Sequence, residues 1–146
     1  MKRRLTVSLK RDPAITASRV GLGKEKLVYV LVADKRLRYA EGKSRIAYIG
    51  TTQNGTSRIA SSVAARAPEI LAIRGVRSFE ARVLTCTPRR NVKTWRVLER
   101  ALLLAFREEF GEIPWCNLQG KRIRERDEFE RYFRRARISG LIHDLS

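Results

Sequence analysis

Histidine, cysteine and acidic residues are all scarce in this 146-residue sequence, which holds one histidine, two cysteines and 15 Asp or Glu against 32 Lys or Arg. With His143 alone there is no histidine pair for a proton relay and no histidine-rich metal site. Cys86 and Cys116 stand thirty positions apart. That is neither the close pair of a zinc site nor a disulfide framework, and two reduced thiols near the core are expected. No run approaches the roughly 20 apolar residues that span a bilayer, and MKRRLTVSLKRD at positions 1–12 has no long apolar core between its charges. A membrane partner is therefore not expected, and the expected location is the cytoplasm, in association with nucleic acid. The shortage of acids leaves a net charge of +17, a field that attracts polyanions, DNA or RNA first.

A hydrophobic fraction of 43% at this length suits one modest core and one domain. Residues 1–26 carry eight cations against two acids, with Pro13, Gly21 and Gly23 breaking any periodicity, so they predict a basic arm or loosely docked segment, either a solvated tail or one in which Lys2, Arg3 and Arg4 contact phosphates. LVYVLVA at 27–33 and RIAYIGT at 45–51 have the short, β-branched and aromatic character of buried strands. The polar DKRLRYAEGKS between them predicts a long hairpin loop. From Asn54 or Thr56 onward, Ile59, Ala60, Val63, Ala64 and Ala67 are spaced for one helical face, with Pro68 near the end. SFEARVLTCT at 78–87 alternates as a third strand, with Phe79, Ala81 and Val83 inward. The longest helix is predicted from about 91 to 110, closed by Gly111 and Pro114. A last helix is predicted over DEFERYFRRARISG, capped by Asp127 and Glu130, with Phe129, Tyr132, Phe133 and Ala136 on one face. The fold class that follows is α+β, a small mixed sheet covered by helices. Residues 119–146 form a basic helix and tail packed on the core. Within them, 121–137 carries eight cations against four acids, Lys121, Arg122 and Arg124 among them, and is expected to grip a nucleic-acid backbone.

Two side chains stand where simple patterning would not put them. At about 100° per residue, Glu99 falls on the same helical stripe as Trp95, Leu102, Leu103 and Phe106. A buried carboxylate costs several kcal/mol unless something pairs it, so Glu99 either meets a cation, a side chain or a metal ion, or lines a polar cleft. Alternatively the helix is apolar all round, as Val97 and Leu104 on its far side suggest. Arg58 lies in or near the first turn of its helix, where free N–H groups and the dipole favour anions. The position costs a few tenths of a kcal/mol up to about 1 kcal/mol, unless a phosphate docks where the N–H groups and the guanidinium converge.

Read together, Tyr29 in LVYV, then Tyr48, Ile49 and Gly50, Arg58 ten residues after Tyr48, Glu99 on an apolar helix and Asn117 beyond it resemble the GIY-YIG nuclease family over residues 27–118. The resemblance implies a three-stranded antiparallel sheet flanked by helices and divalent-metal-dependent hydrolysis of DNA phosphodiesters. It implies that Glu99 holds one Mg2+ or Mn2+ ion and that Arg58 stabilises charge on the phosphorus centre. Tyr29 would orient or deprotonate the water, with Tyr48 assisting and Gly50 and Asn117 supporting the site. The leading glycine of the family's first motif is absent from LVYV, and Thr51 replaces a lysine often found after the second. Nineteen positions separate Tyr29 from Tyr48, more than the family's usual ten or eleven, so an enlarged hairpin is required. Tyr39 lies within that gap and is the other claimant to the first tyrosine, although strand alternation favours Tyr29. Free tyrosine ionises near pH 10, so a metal or a neighbouring cation must help it act as a base. Phosphoryl chemistry depends on positioning and charge neutralisation more than on histidine.

Three functions are consistent with these residues: a small DNA endonuclease, acting as a dimer or by successive nicks if it cuts both strands; a non-catalytic basic module that holds DNA or RNA; and a partner-binding protein that docks Phe129, Tyr132 and Phe133 onto another chain.

Overall fold

The computed structural model describes residues 5–16, 26–117 and 129–146. Its core is a three-stranded antiparallel sheet in the order β2-β1-β3, formed by β1 (Leu27–Tyr39), β2 (Gly42–Thr52) and β3 (Phe79–Leu84). Three helices complete the fold: α1 (Gly55–Leu71), α2 (Thr94–Phe110) and α3 (Arg135–Leu145), with a 3-10 turn at Phe129–Arg131 before α3. The α+β class and the three-stranded sheet expected from the sequence are both present. Residues 5–16 are exposed and hold no helix or strand.

β1 is central, and Leu27 to Leu31 are at most 2% exposed, so both of its faces are covered. On one face the register sets Leu31 opposite Tyr48, Tyr29 opposite Gly50 and Leu27 opposite Thr52, with Val83 of β3 on the other side of Tyr29. α1 packs against this face through Ser62 and Arg66, which reach the two tyrosines. The opposite face carries Val32, Glu80 and Arg82, and the end of α3, His143 to Ser146, closes a cavity over it. Ser146 ties that end to β2, its carbonyl accepting from Arg45 N–H and its hydroxyl bonding Ser44. α2 packs between α3 and strands β2 and β1, which is why it is buried nearly all round, with Leu104 as enclosed as Leu98.

The long hairpin loop expected between the first two strands does not exist. β1 runs on to Tyr39 and turns through Ala40 and Glu41 into Gly42. Leu37 and Tyr39 alternate into the core, and this buried alternation outweighs the polar composition of the segment. The register shifts between Leu31 and Val32 and again between Val32 and Leu37, where four β1 residues face one on β2. That bulge is fastened to the loop before β3: Asp34 N–H donates to Ser78 O, the Asp34 carboxylate accepts from Arg77 N–H, and Lys35 Nζ donates to Arg74 O.

The last helix also differs from expectation. Its predicted aromatic face is a 3-10 turn that buries Phe129 and leaves Tyr132 and Ala136 exposed. The helix proper begins at Arg135 and buries Ile138 and Ile142. Short-range aromatic spacing competed here with an i,i+4 isoleucine pair, and the pair docks on α2. Asp127 lies outside the described residues. On β3, Phe79 and Val83 are partly buried as expected, but Ala81 is exposed on this edge strand. Gly111 closes α2 in the left-handed conformation, φ 79°, its N–H donating to Arg107 O.

Candidate active site

Tyr29 and Tyr48 stand side by side, ring centroids 5.8 Å apart. Gly50, directly across from Tyr29, makes that approach possible: a Cβ there would lie 2.6 Å from Tyr48 Cε1 and 2.9 Å from both Cζ and the hydroxyl of Tyr29. The glycine is thus required by the ring pair on either side of it rather than by its own backbone angles.

The Tyr29 hydroxyl interacts with the hydroxyls of Ser62 and Tyr48. Burial pushes its pKa up to about 12, with the Ser62 hydrogen bond and the Arg66 charge pulling the other way. Tyr29 is therefore a protonated phenol at neutral pH, fit to orient a water or a phosphate oxygen and not to remove a proton.

Arg66 stacks its guanidinium over the Tyr48 ring, 4.6 Å from the centroid, and pairs with Glu69 at 3.5 Å. Its side chain is 19% exposed. Of the face expected for α1, Ile59, Val63 and Ala67 are turned inward, but Ala60 and Ala64 are exposed, and Ser62, Arg66 and Ile70 complete the face. Ser62 and Arg66 were missed because both are polar. The available signal was their spacing, four and eight residues beyond Arg58 on the same helical row. Arg58 itself is exposed at the start of α1, one turn before Ser62, and makes no ion pair among the described residues. The first turn of α1 contains no acid, and Asn54 precedes it without a side-chain cap.

Asn117 lies against the outer edge of β2. Its Oδ1 accepts from Ile49 N–H at 3.0 Å and its Nδ2 donates to Ile49 O at 2.8 Å, so the amide replaces a missing neighbouring strand at the residue between Tyr48 and Gly50. Cys116 N–H donates to Ala47 O just beside it. Cys116 is buried and free, and its thiol pKa is raised by burial first, then by Glu69. The segment after α2 therefore meets both β2 and the Arg66–Glu69 pair of α1.

Glu99 is 7% exposed on α2. It is not among the groups acting on the Tyr29 hydroxyl, which are Ser62, Tyr48 and Arg66. The structure thus gathers Tyr29, Tyr48, Gly50, Ser62 and Arg66 on the α1 side, holds Asn117 at the β2 edge, and places Glu99 in the layer that packs on the same strand from α2. Tyr39 belongs to a different cluster, with Phe106, Phe110 and Trp115 around it at 4.9, 6.0 and 5.7 Å and its hydroxyl donating to Ile46 O. It is a core residue of the hairpin end. Lys2, Arg3, Arg4, Lys121, Arg122 and Arg124 lie outside the described residues.

Among the described residues no three His, Cys, Asp or Glu side chains gather as a metal cage. Glu99 is a single hard oxygen donor, and its chemistry fits Mg2+, which binds through one or two carboxylates and completes its shell with water and substrate phosphate. No described helix is long and apolar enough to cross a membrane. In comparisons with known proteins, no family model, curated protein or solved structure matches the chain.

Proposed function

We propose that the protein is a divalent-metal-dependent DNA endonuclease with a GIY-YIG-type site. The observation that carries this reading is the cluster that meets over Gly50: Tyr29 and Tyr48 side by side, with Ser62 on the Tyr29 hydroxyl and the Arg66 guanidinium over the Tyr48 ring. On this reading the scissile phosphate lies at the β2 edge. Arg58, exposed at an amide-rich helix start, binds its non-bridging oxygens. Tyr29, as a neutral hydroxyl steadied by Ser62, orients the attacking water, and Tyr48 is held in place by Arg66. Glu99 would hold a Mg2+ or Mn2+ ion, which when bound supplies Lewis acidity and lowers the pKa of water. Asn117 fixes the strand between the two site residues of β2. The net charge of +17 brings the polyanion to the surface.

Supercoiled plasmid incubated with the purified chain and Mg2+ or Mn2+ is expected to convert to nicked circles, and EDTA is expected to stop it. Retained plasmid binding with no nicking under either metal would replace the nuclease with a non-catalytic binding module.

A further inference from the structure

A second concave region lies at the far edge of the sheet from β2. Its volume is about 1220 Å3, above the roughly 300–1,000 Å3 of small-molecule sites, which suits an extended ligand. Leu98 of α2 with Ile138 and Leu141 of α3 make an apolar floor, and β3 contributes Val83 and Leu84 at its end. Three cations line it, Lys26, Arg89 and Arg137, and among the described residues no acid does. Thr85, Thr87 and Thr94 add hydroxyls. Two aromatic rings are available: Tyr132 is 37% exposed with the Arg89 guanidinium 5.3 Å from its centroid, and Phe133 is partly buried next to it.

We infer that this groove binds an unpaired nucleic-acid strand. A single strand carries phosphates along one side and free base faces along the other. The groove offers cations and hydroxyls at its rim and stackable rings beside an apolar floor. The Tyr132–Arg89 pair presents a ring already backed by a guanidinium, on which a base can stack from the open side. A duplex hides its base faces and gains only from the cations. A small anionic metabolite would use a fraction of the volume, and a purely apolar partner would leave three cations unused. The groove also adjoins the tyrosine site, since Val83 on its wall pairs with Tyr29 across β1 and β3. If the nuclease reading holds, the substrate is DNA with a single-stranded portion, such as a flap or fork. The binding itself does not depend on that reading.

The test is fluorescence anisotropy in EDTA with labelled dT15, rU15 and a 15-base-pair duplex, so that cleavage plays no part. Tyr132→Ala is expected to weaken dT15 and rU15 binding by about 5-fold to 100-fold and to leave the duplex within about twofold. Tyr132→Phe should retain single-strand affinity. The doubly substituted Arg89→Gln, Arg137→Gln chain should lower the salt slope for dT15 by about 1.4. The tighter of dT15 and rU15 identifies the sugar. Wild-type single-strand affinity in both the alanine and the glutamine variants would overturn the inference, as would an equal loss on the duplex. Self-association of the chain that Tyr132→Ala abolishes, with oligonucleotide binding unchanged, would assign the groove to protein and overturn it as well.

Discussion

A methyl group at position 50 would lie 2.6 Å from the Tyr48 ring and 2.9 Å from the Tyr29 ring, so the rings or the strands that carry them must shift. Gly50→Ala is therefore expected to lower stability by about 1–3 kcal/mol, read as an earlier midpoint in urea, and to abolish nicking even where the protein remains folded. Tyr29 gives a second test through its proton. The folded chain keeps the phenol protonated to about pH 12, whereas the unfolded chain releases it near pH 10. The contribution of this burial to stability is present in full below pH 10 and is lost as the pH rises toward 12. Tyr29→Phe, without that proton, should lose less stability than wild type between pH 9 and pH 11.5, measured by urea unfolding at each pH. Equal losses in the two proteins would show that Tyr29 ionises as freely folded as unfolded. The residues that stood out in the sequence were those with an unusual local setting, such as Glu99, whose place on an apolar stripe is matched by its burial. Ser62 and Arg66 looked like ordinary polar residues until the fold laid them on the tyrosines.

The β2 strand is an edge, and one side chain from beyond α2 does the work of a neighbouring strand. Asn117 makes both hydrogen bonds of Ile49's outward peptide groups and is 6% exposed. Asn117→Ala would leave a buried N–H and a buried carbonyl without partners, at about 1–3 kcal/mol each when fully desolvated. The expected result is a loss of about 2–4 kcal/mol in urea unfolding, together with faster amide exchange at Ile49. Stability within 0.5 kcal/mol of wild type, an about negligible change for such a site, would show that water reaches this edge. Strand and helix identities were legible from period and turn chemistry, and so was the end of α2 at Gly111. The hairpin was not, because a bulge lets polar residues occupy a strand that still buries Leu37 and Tyr39. The last helix was not either, because its anchors, Ile138 and Ile142, are sparse and are chosen by their fit to α2 rather than by any dense apolar face.

At the scale of the molecule, a sheet whose central strand is covered on both faces lies between two layers that both pack on β2. α1 brings Ser62 and Arg66 to the tyrosine side, with Arg58 exposed one turn earlier, and α2 carries Glu99 in the layer it forms with α3. The order of these residues along the chain suggested a common purpose but held no information on which layer each would join, since that depends on the crossing from β2 to β3 and back through α2. The proposed chemistry requires the two layers to act on one phosphate at their shared strand. The most direct measurement is the nicking rate of Glu99→Gln, an isosteric change that keeps the volume inside α2, on supercoiled plasmid with saturating Mg2+ and with DNA binding measured in parallel. The expected result is wild-type binding with a rate at least about 100-fold lower, as for loss of an interaction made with the reacting centre. A rate within a few-fold of wild type would contradict it.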